Sequence, residues 1–327
     1  MNMKIAILDD YQNVVEQLDC FSLLNGHEVT VFTDTVTDTD TLTERLHDQD
    51  ALILIRERTP ITEALLARLP NLKLISQTGK ISSHINLQDC TKHGVAFAEG
   101  RGSPIAPSEL CWTLIMAASR HLVPYVNALG DGQWQQSGGG NGLGRTLNGL
   151  TLGIWGFGKI GQRIAQYAKT FGMNVLIWGR EPSRHKAREH GFEAAESKTA
   201  FFQSADIVSL HLRLNDETRG CVLAEDLMQM KTDALFVNTS RAELVEKRAL
   251  IRALKFGRPG FAALDVYEQE PATHDSEVLL SMENVLCTPH LGYVEQNSYE
   301  LYFSVAFENV NAFFRGEPEN IANPEVI

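Results

Sequence analysis

Cysteine is scarce and scattered in this 327-residue chain: the five residues Cys20, Cys90, Cys111, Cys221 and Cys287 form no CxxC pair and no even-numbered framework. Such spacing points to neither a disulfide scaffold nor a zinc site, and reduced cysteines in a reducing compartment are expected. Long apolar runs are missing too. No stretch approaches the roughly 18 apolar residues of a membrane helix. The start, MNMKIAILDDYQNVV, leads from Met1 straight into a strand-like segment with Asp9 and Asp10, without the apolar centre of a signal peptide. A cytoplasmic protein that does not associate with membranes is expected. Basic charge is in deficit: 29 Lys and Arg stand against 41 Asp and Glu, a net charge of −12. That field opposes nucleic acid and anionic surfaces, although a local basic pocket still suits a phosphate. HExxH and compact ligand clusters are absent, so no metal is expected. The Gly138 to Gly140 run lacks a following GK[ST] and reads as an excursion before the next strand rather than a nucleotide loop.

What is present is an alternation of short apolar strands with helical patterns, the mark of parallel α/β architecture. At roughly 150 residues per domain the length allows two domains. The first series is KIAIL (4–8), EVTVF (28–32), ALILI (51–55), LKLIS (72–76) and VAFAE (95–99), enough for one open sheet. Thr41 and Glu44 suggest a capping box, and Thr62 after Pro60 opens a helix that Pro70 stops. Residues 107–122 read as a helix apolar on most sides, which calls for burial in a large domain or against a second subunit through residues such as Trp112 and Leu114. A second series follows: TLGIWG, NVLIW, IVSLH, ALFVNTS, GFAALDV and NVLCTPH, the six strands of a doubly wound dinucleotide-binding sheet. The tail, about 297–314, reads as one aromatic-rich helix that returns to the first domain and makes it discontinuous.

Gly156-Phe157-Gly158-Lys159-Ile160-Gly161 lies between a strand and a helix. The first glycine permits the tight turn, the second the approach of a pyrophosphate, and the third close helix packing, so a dinucleotide is expected at the helix N-terminus. The acidic residue that normally accepts the ribose hydroxyls is missing. Gly179 stands at the strand end, and Arg180, Ser183 and Arg184 could surround a ribose 2′-phosphate. NADP(H) is therefore favoured, with NAD(H) as the alternative if Arg180 stacks on adenine instead.

Polar groups gather beyond the last three strands, where ligands of such sheets bind. Arg241 offers paired donors for a carboxylate, His290 can exchange a proton near neutrality, and Glu270 can orient the imidazole and favour its protonated form. Each has a plainer alternative: Arg241 as a loop cap or partner of Glu243, Glu270 as a solvated turn residue, His290 as a structural histidine.

The fingerprint, VSLHLRLNDETRG (208–220), MKTDALFVNTSR (230–241), AALDVYEQEP (262–271) and TPHLG (288–292) together resemble the D-isomer-specific 2-hydroxyacid dehydrogenase family, over essentially the whole chain. The resemblance implies two domains: a smaller flavodoxin-like open parallel sheet for substrate, here 1–103 with 294–327, and a doubly wound nucleotide-binding domain, 104–293. It implies Arg241 as the substrate-orienting arginine, Glu270 as the partner of the catalytic histidine and His290 as the acid/base. Asp265 falls near the nicotinamide carboxamide, and His211, Thr239 and Ser240 line the cofactor. Thr78, Gly79 and Lys80 fall where a substrate carboxylate is bound. A homodimer acting on a small 2-keto or 2-hydroxy acid follows, glyoxylate or hydroxypyruvate in the first instance and a bulkier or phosphorylated acid as the alternative. A formate dehydrogenase would not need the Glu270–His290 pair, and a nucleotide-sensing interaction protein could dispense with the whole catalytic set.

Three departures from the family pattern bear on substrate. Lys80 brings a charge to the carboxylate loop, where it either recognises a second anionic group or faces solvent. The stretch from Glu99 to Pro104 differs from the usual hinge approach, and Arg213 stands where proline is common.

Overall fold

The alternating sequence folds as two α/β units, each built on a parallel sheet. The computed structural model describes residues 2–82, 84–136 and 142–327, so the Gly138 to Gly140 run lies outside the described residues. One unit comprises Met1–Ser103 with Val294–Ile327, the other Pro104–Tyr293.

In the first unit, β1 (Lys4–Leu8), β2 (Glu28–Val31), β3 (Ala51–Leu54), β4 (Leu74–Gln77) and β5 (Ala96–Ala98) pair in the order β2-β1-β3-β4-β5. All four pairings are parallel. The central strands are buried on both faces, which is why ALIL and KIAIL are continuous apolar runs rather than alternating ones. Helix Gln296–Phe314 belongs to this unit: Phe303 and Phe307 are fully buried, Phe21 meets Phe307 edge-on, and the Ala306 carbonyl accepts the Ser76 hydroxyl at 2.9 Å. Asn323 then secures the chain end by accepting the Phe97 amide at 2.8 Å.

The second unit holds β6 (Thr151–Trp155), β7 (Asn174–Trp178), β8 (Glu193–Ala194), β9 (Ile207–Leu210), β10 (Leu235–Asn238), β11 (Phe261–Leu264) and β12 (Val285–Cys287). Their order is β12-β11-β10-β9-β6-β7-β8, parallel throughout. This is consistent with a Rossmann-like nucleotide-binding sheet. The seventh strand, β8, has two residues, too few to carry a hydrophobic period. Trp155 packs edge-on against Phe201 and Phe202 on one face of this sheet.

Three local expectations need correction. The N-cap of helix Thr39–Leu46 is Asp38, which accepts the Thr41 amide at 2.9 Å. A carboxylate there both bonds an orphan N–H and meets the positive end of the helix, which a threonine hydroxyl three residues further in cannot do. The apolar segment forms helix Ile105–Ser119, breaks at His121 with φ 49°, and resumes as Leu122–Gly130. Its Cys111, Leu114 and Ile115 are buried in the core of their own unit, and Trp112 packs on Tyr167 and Phe171. Trp112 and Leu114 therefore need no second subunit; the exposed apolar side chains are Ile105, Leu122, Val123, Val126 and Leu129. Among the described residues, no helix is long and apolar enough to cross a membrane.

Candidate active site

The glycine loop shows why its residue types are dictated. Gly156 has φ 103°, and a Cβ on it would lie 2.5 Å from the His211 carbonyl oxygen. On Gly161 a Cβ would meet the Gly156 carbonyl oxygen at 2.1 Å, so the helix Lys159–Thr170 can sit this close only with glycine there. Gly158 differs: a Cβ there would meet nothing within 4 Å. No side chain caps this helix, and the amides of its first turn, around Lys159 and Ile160, face that open space. This is a cradle that fits a dinucleotide pyrophosphate.

At the end of β7, Gly179 has φ 151°, a backbone that disfavours any side chain. The missing carboxylate thus has a conformational cause as well as an electrostatic consequence. Arg180 is 87% exposed, with Nη1 3.6 Å from Glu217, and Ser183 lies against Gly179. Arg184 is turned elsewhere: its guanidinium stacks over Trp178 at 5.1 Å and bonds Glu181 at 2.7 Å. The structure thus leaves Arg180 and Ser183 at the strand end and commits Arg184 to packing.

Beyond β9, the His211 Nε2 pairs with the Ser209 hydroxyl at 2.9 Å, and Ser209 in turn meets the Cys111 sulfur at 3.4 Å. Burial holds the His211 imidazole down at about 4 and pushes the Cys111 thiol up to about 11, so both are neutral at pH 7. Thr239 bonds the same thiol, and the Ser240 hydroxyl donates to the Leu210 carbonyl at 3.1 Å. The Ser209 and Cys111 contributions were not anticipated. The period-two spacing of Ser209 and His211 on one strand face is the signal that could have found the first.

Beyond β10, the Asn238 amide donates to the Arg241 carbonyl at 2.8 Å, and Arg241 Nη1 donates to the Ser240 carbonyl at 2.7 Å. Beyond β11 and β12, Glu270 and His290 come together: Glu270 Oε2 is 2.6 Å from His290 Nδ1, while Oε1 accepts the Tyr267 amide at 3.0 Å. This leaves the other ring nitrogen, Nε2, as the one available for proton exchange with a substrate. Asp265 clamps the loop carrying His290. Its Oδ1 accepts the Thr288 hydroxyl at 2.6 Å and the Leu291 amide at 2.7 Å, and its Oδ2 the Gly292 amide at 2.9 Å. Burial raises its carboxyl above the usual range, against the pull of those donors.

In the first unit the three expected residues behave differently from one another. Thr78 is a strut: its amide and hydroxyl both donate to the Leu54 carbonyl, at 3.0 and 3.1 Å, and its oxygen accepts the Arg56 amide. Pairing of the β4 end with β3 thus engages its side chain. A Cβ on Gly79 would lie 2.2 Å from Arg56 Nη1. Lys80 is more than half exposed and its Nζ pairs with Glu99 at 2.7 Å, while Glu99 also accepts the Ile81 amide at 2.9 Å. Asp9, φ 64° and 2% exposed, was missed; it accepts the Thr35 and Thr59 hydroxyls at 2.7 and 2.5 Å. Among the described residues, no group of three or more His, Cys, Asp or Glu could hold a metal ion.

Comparison with known proteins gives this geometry a family. Residues 112–292 match the model of the D-isomer specific 2-hydroxyacid dehydrogenase, NAD binding domain. The chain is 34% identical over 293 residues to a glyoxylate reductase of Thermococcus litoralis, covering 88% of this chain and 87% of that one. A phosphoglycerate oxidoreductase structure from Vibrio cholerae aligns with a TM-score of 0.94 and 63% identity, over 96% of this chain and 99% of that one. A structure from Ralstonia solanacearum, assigned as a D-3-phosphoglycerate dehydrogenase oxidoreductase, aligns with a TM-score of 0.97 and 54% identity, over 99% and 98% of the two chains. The chain belongs to the D-isomer-specific 2-hydroxyacid dehydrogenase family and is an NAD(P)-dependent oxidoreductase of 2-hydroxy and 2-keto acids.

Proposed function

We propose that the enzyme reduces a small, unphosphorylated 2-keto acid of the glyoxylate or hydroxypyruvate class to the 2-hydroxy acid, with NADPH preferred. The observation that carries the reading is the 2.6 Å contact between Glu270 and His290, which fixes the imidazole with Nδ1 engaged and Nε2 free to give up a proton. When bound, the dihydronicotinamide supplies the hydride. As the carbon–hydrogen bond forms, the carbonyl π electrons pass to oxygen, and His290 Nε2 delivers the proton that this oxygen takes. Glu270 holds the imidazole in place and compensates its charge, while Arg241 grips the substrate carboxylate and polarises the carbonyl beside it. Oxidation runs through the same groups with His290 as base.

Lys80 supports the choice of a small acid, since Glu99 already neutralises its charge. The exposed Arg180 with Ser183, and no carboxylate at Gly179, support a 2′-phosphate. Residues 104–293 are proposed as the nucleotide-binding domain, and 1–103 with 294–327 as the substrate domain, contributing backbone at Gly79. The strand order β2-β1-β3-β4-β5 supports a flavodoxin-like description of the latter. Exposed Leu122, Val123, Val126 and Leu129 support a homodimer, and the scattered free cysteines a cytoplasmic setting.

A phosphorylated 2-hydroxy acid is the second reading, supported by what the two similar crystal structures are called. Steady-state kcat/KM for glyoxylate, hydroxypyruvate and 3-phosphohydroxypyruvate, each with NADPH and NADH, separates the two. The proposal expects the unphosphorylated acids and NADPH to lead, and a preference for the phosphorylated acid would replace it with the second reading.

A further inference from the structure

The imidazole of His290 is held from the side by Glu270, but its backbone is held from below by something else. His290 has φ 53°, a left-handed conformation that a non-glycine residue adopts only when its surroundings hold it. The turn leading into it is closed by the His290 amide, which donates to the Thr288 carbonyl at 3.0 Å. The same carbonyl accepts a second bond, from the Tyr267 hydroxyl, at 2.9 Å. Tyr267 is 7% exposed, and burial holds its phenol protonated far above the ordinary range, so the hydroxyl is a permanent donor. The residue also acts at its other end. Its amide donates to Glu270 Oε1 at 3.0 Å, beside the Oε2 that meets His290.

We propose that Tyr267 is a positioning residue for proton transfer, fixing Glu270 with its amide and the turn of His290 with its hydroxyl, so that one side of the acid/base pair cannot move without the other. The inference rests on the reading of His290 as the proton donor. Tyr267 thereby joins the β11 and β12 loops, through Glu270 on one and the Thr288 carbonyl on the other. Asp265 also spans the two loops, but it grips Thr288, Leu291 and Gly292 rather than Glu270. The hydroxyl is separable from the rest, because phenylalanine keeps the buried ring and the backbone amide while releasing the Thr288 carbonyl and the neighbouring Cys287 thiol.

The test is a double-mutant cycle on the full-length enzyme with a saturating nicotinamide cofactor. Tyr267→Phe should lower kcat for the keto acid about five-fold, the scale of one hydrogen bond, with the KM and dissociation constant of the cofactor unchanged. In a His290→Ala background the same change should have no further effect on kcat, because the group being positioned is gone. An unchanged kcat in the single variant overturns the proposal. So does an equal loss in both backgrounds, which would mark a merely structural residue. Should the phenylalanine variant not fold, the cycle is run with 3-fluorotyrosine at position 267: its more acidic hydroxyl must alter kcat only when His290 is present, and indifference to it overturns the proposal. If His290→Ala itself retains full activity, the proton-donor reading fails instead, and the two failures are distinguished.

Discussion

The two sheets finish their strands in different ways. In Pro104–Tyr293 the strand ends pass control to the backbone: glycines clear the first turn of Lys159–Thr170, and Asp265 and the Tyr267 hydroxyl hold main-chain groups of the His290 loop. In the other unit the strand ends close into interlocked side chains: Thr35 and Thr59 on Asp9, Gln77 between the Lys80 carbonyl and His84, and Glu99 between Lys80 and the Ile81 amide. Open amides can receive an anion that has no partner yet, whereas a satisfied side-chain network holds a shape. The same parallel-sheet architecture thus ends in open amides, a receptor, in one unit and in joined side chains, a wall, in the other.

The largest expected effect lies on the receptor side. Replacing His290 with alanine should lower kcat about 10²–10⁴-fold, as for loss of a general acid, while fluorescence titration finds cofactor affinity nearly unchanged. A variant that keeps its turnover would remove the catalytic meaning of the 2.6 Å contact. Next comes Arg180→Ala, which removes an 87% exposed side chain and so leaves packing alone. The ratio of kcat/KM for NADPH over NADH should fall roughly 10- to 100-fold, one or two charge-assisted contacts. An unmoved ratio would make Arg180 a solvent-facing residue.

A third expectation concerns stability. His211 stays neutral in the folded chain down to about 4, whereas an unfolded histidine takes up a proton near 6.5. Between those values the unfolded state binds the extra proton, so stability is full above pH 6.5 and is lost as pH falls toward 4. The loss should be about 2 kcal/mol after allowance for partial exposure. His211→Gln should flatten that slope in urea titrations at pH 6.5 and 4.5; an equal slope in both proteins would assign the acid lability elsewhere. The smallest effect belongs to the wall. Lys80→Ala breaks a largely exposed ion pair and should cost under about 1 kcal/mol, with the KM for glyoxylate changing less than about three-fold. A large rise in KM would show that the lysine holds substrate, and the distinction between the two sheets would weaken.

The same difference decides what a single sequence reveals. Gly156 and Gly161 are legible because no other residue fits where they sit, and a steric demand leaves a fixed letter at a fixed spacing. Glu270 and His290 are legible as chemistry at successive strand ends. Asp9 is not, because its partners Thr35 and Thr59 are ordinary residues 26 and 50 positions away. Nor is the hydroxyl of Tyr267, whose acceptor is a backbone carbonyl and therefore carries no side-chain signature. The central strands of the first unit could be read because burial on both faces makes them continuously apolar, while β8, with two residues, leaves no period. The engagement of Arg184 by Trp178 and Glu181 is not legible either, because sequence adjacency to Arg180 conceals it.

The distribution of indole rings has an optical consequence. All four tryptophans of the chain, Trp112, Trp134, Trp155 and Trp178, fall within Pro104–Tyr293. Selective excitation of tryptophan therefore sees one unit and is blind to the other, whose aromatic signal comes from tyrosine and phenylalanine. Emission during denaturation follows the loss of the Trp155 packing on Phe201 and Phe202, while far-ultraviolet dichroism follows both sheets at once. Where the two traces separate, the units melt independently; where they coincide, the chain unfolds as one cooperative body.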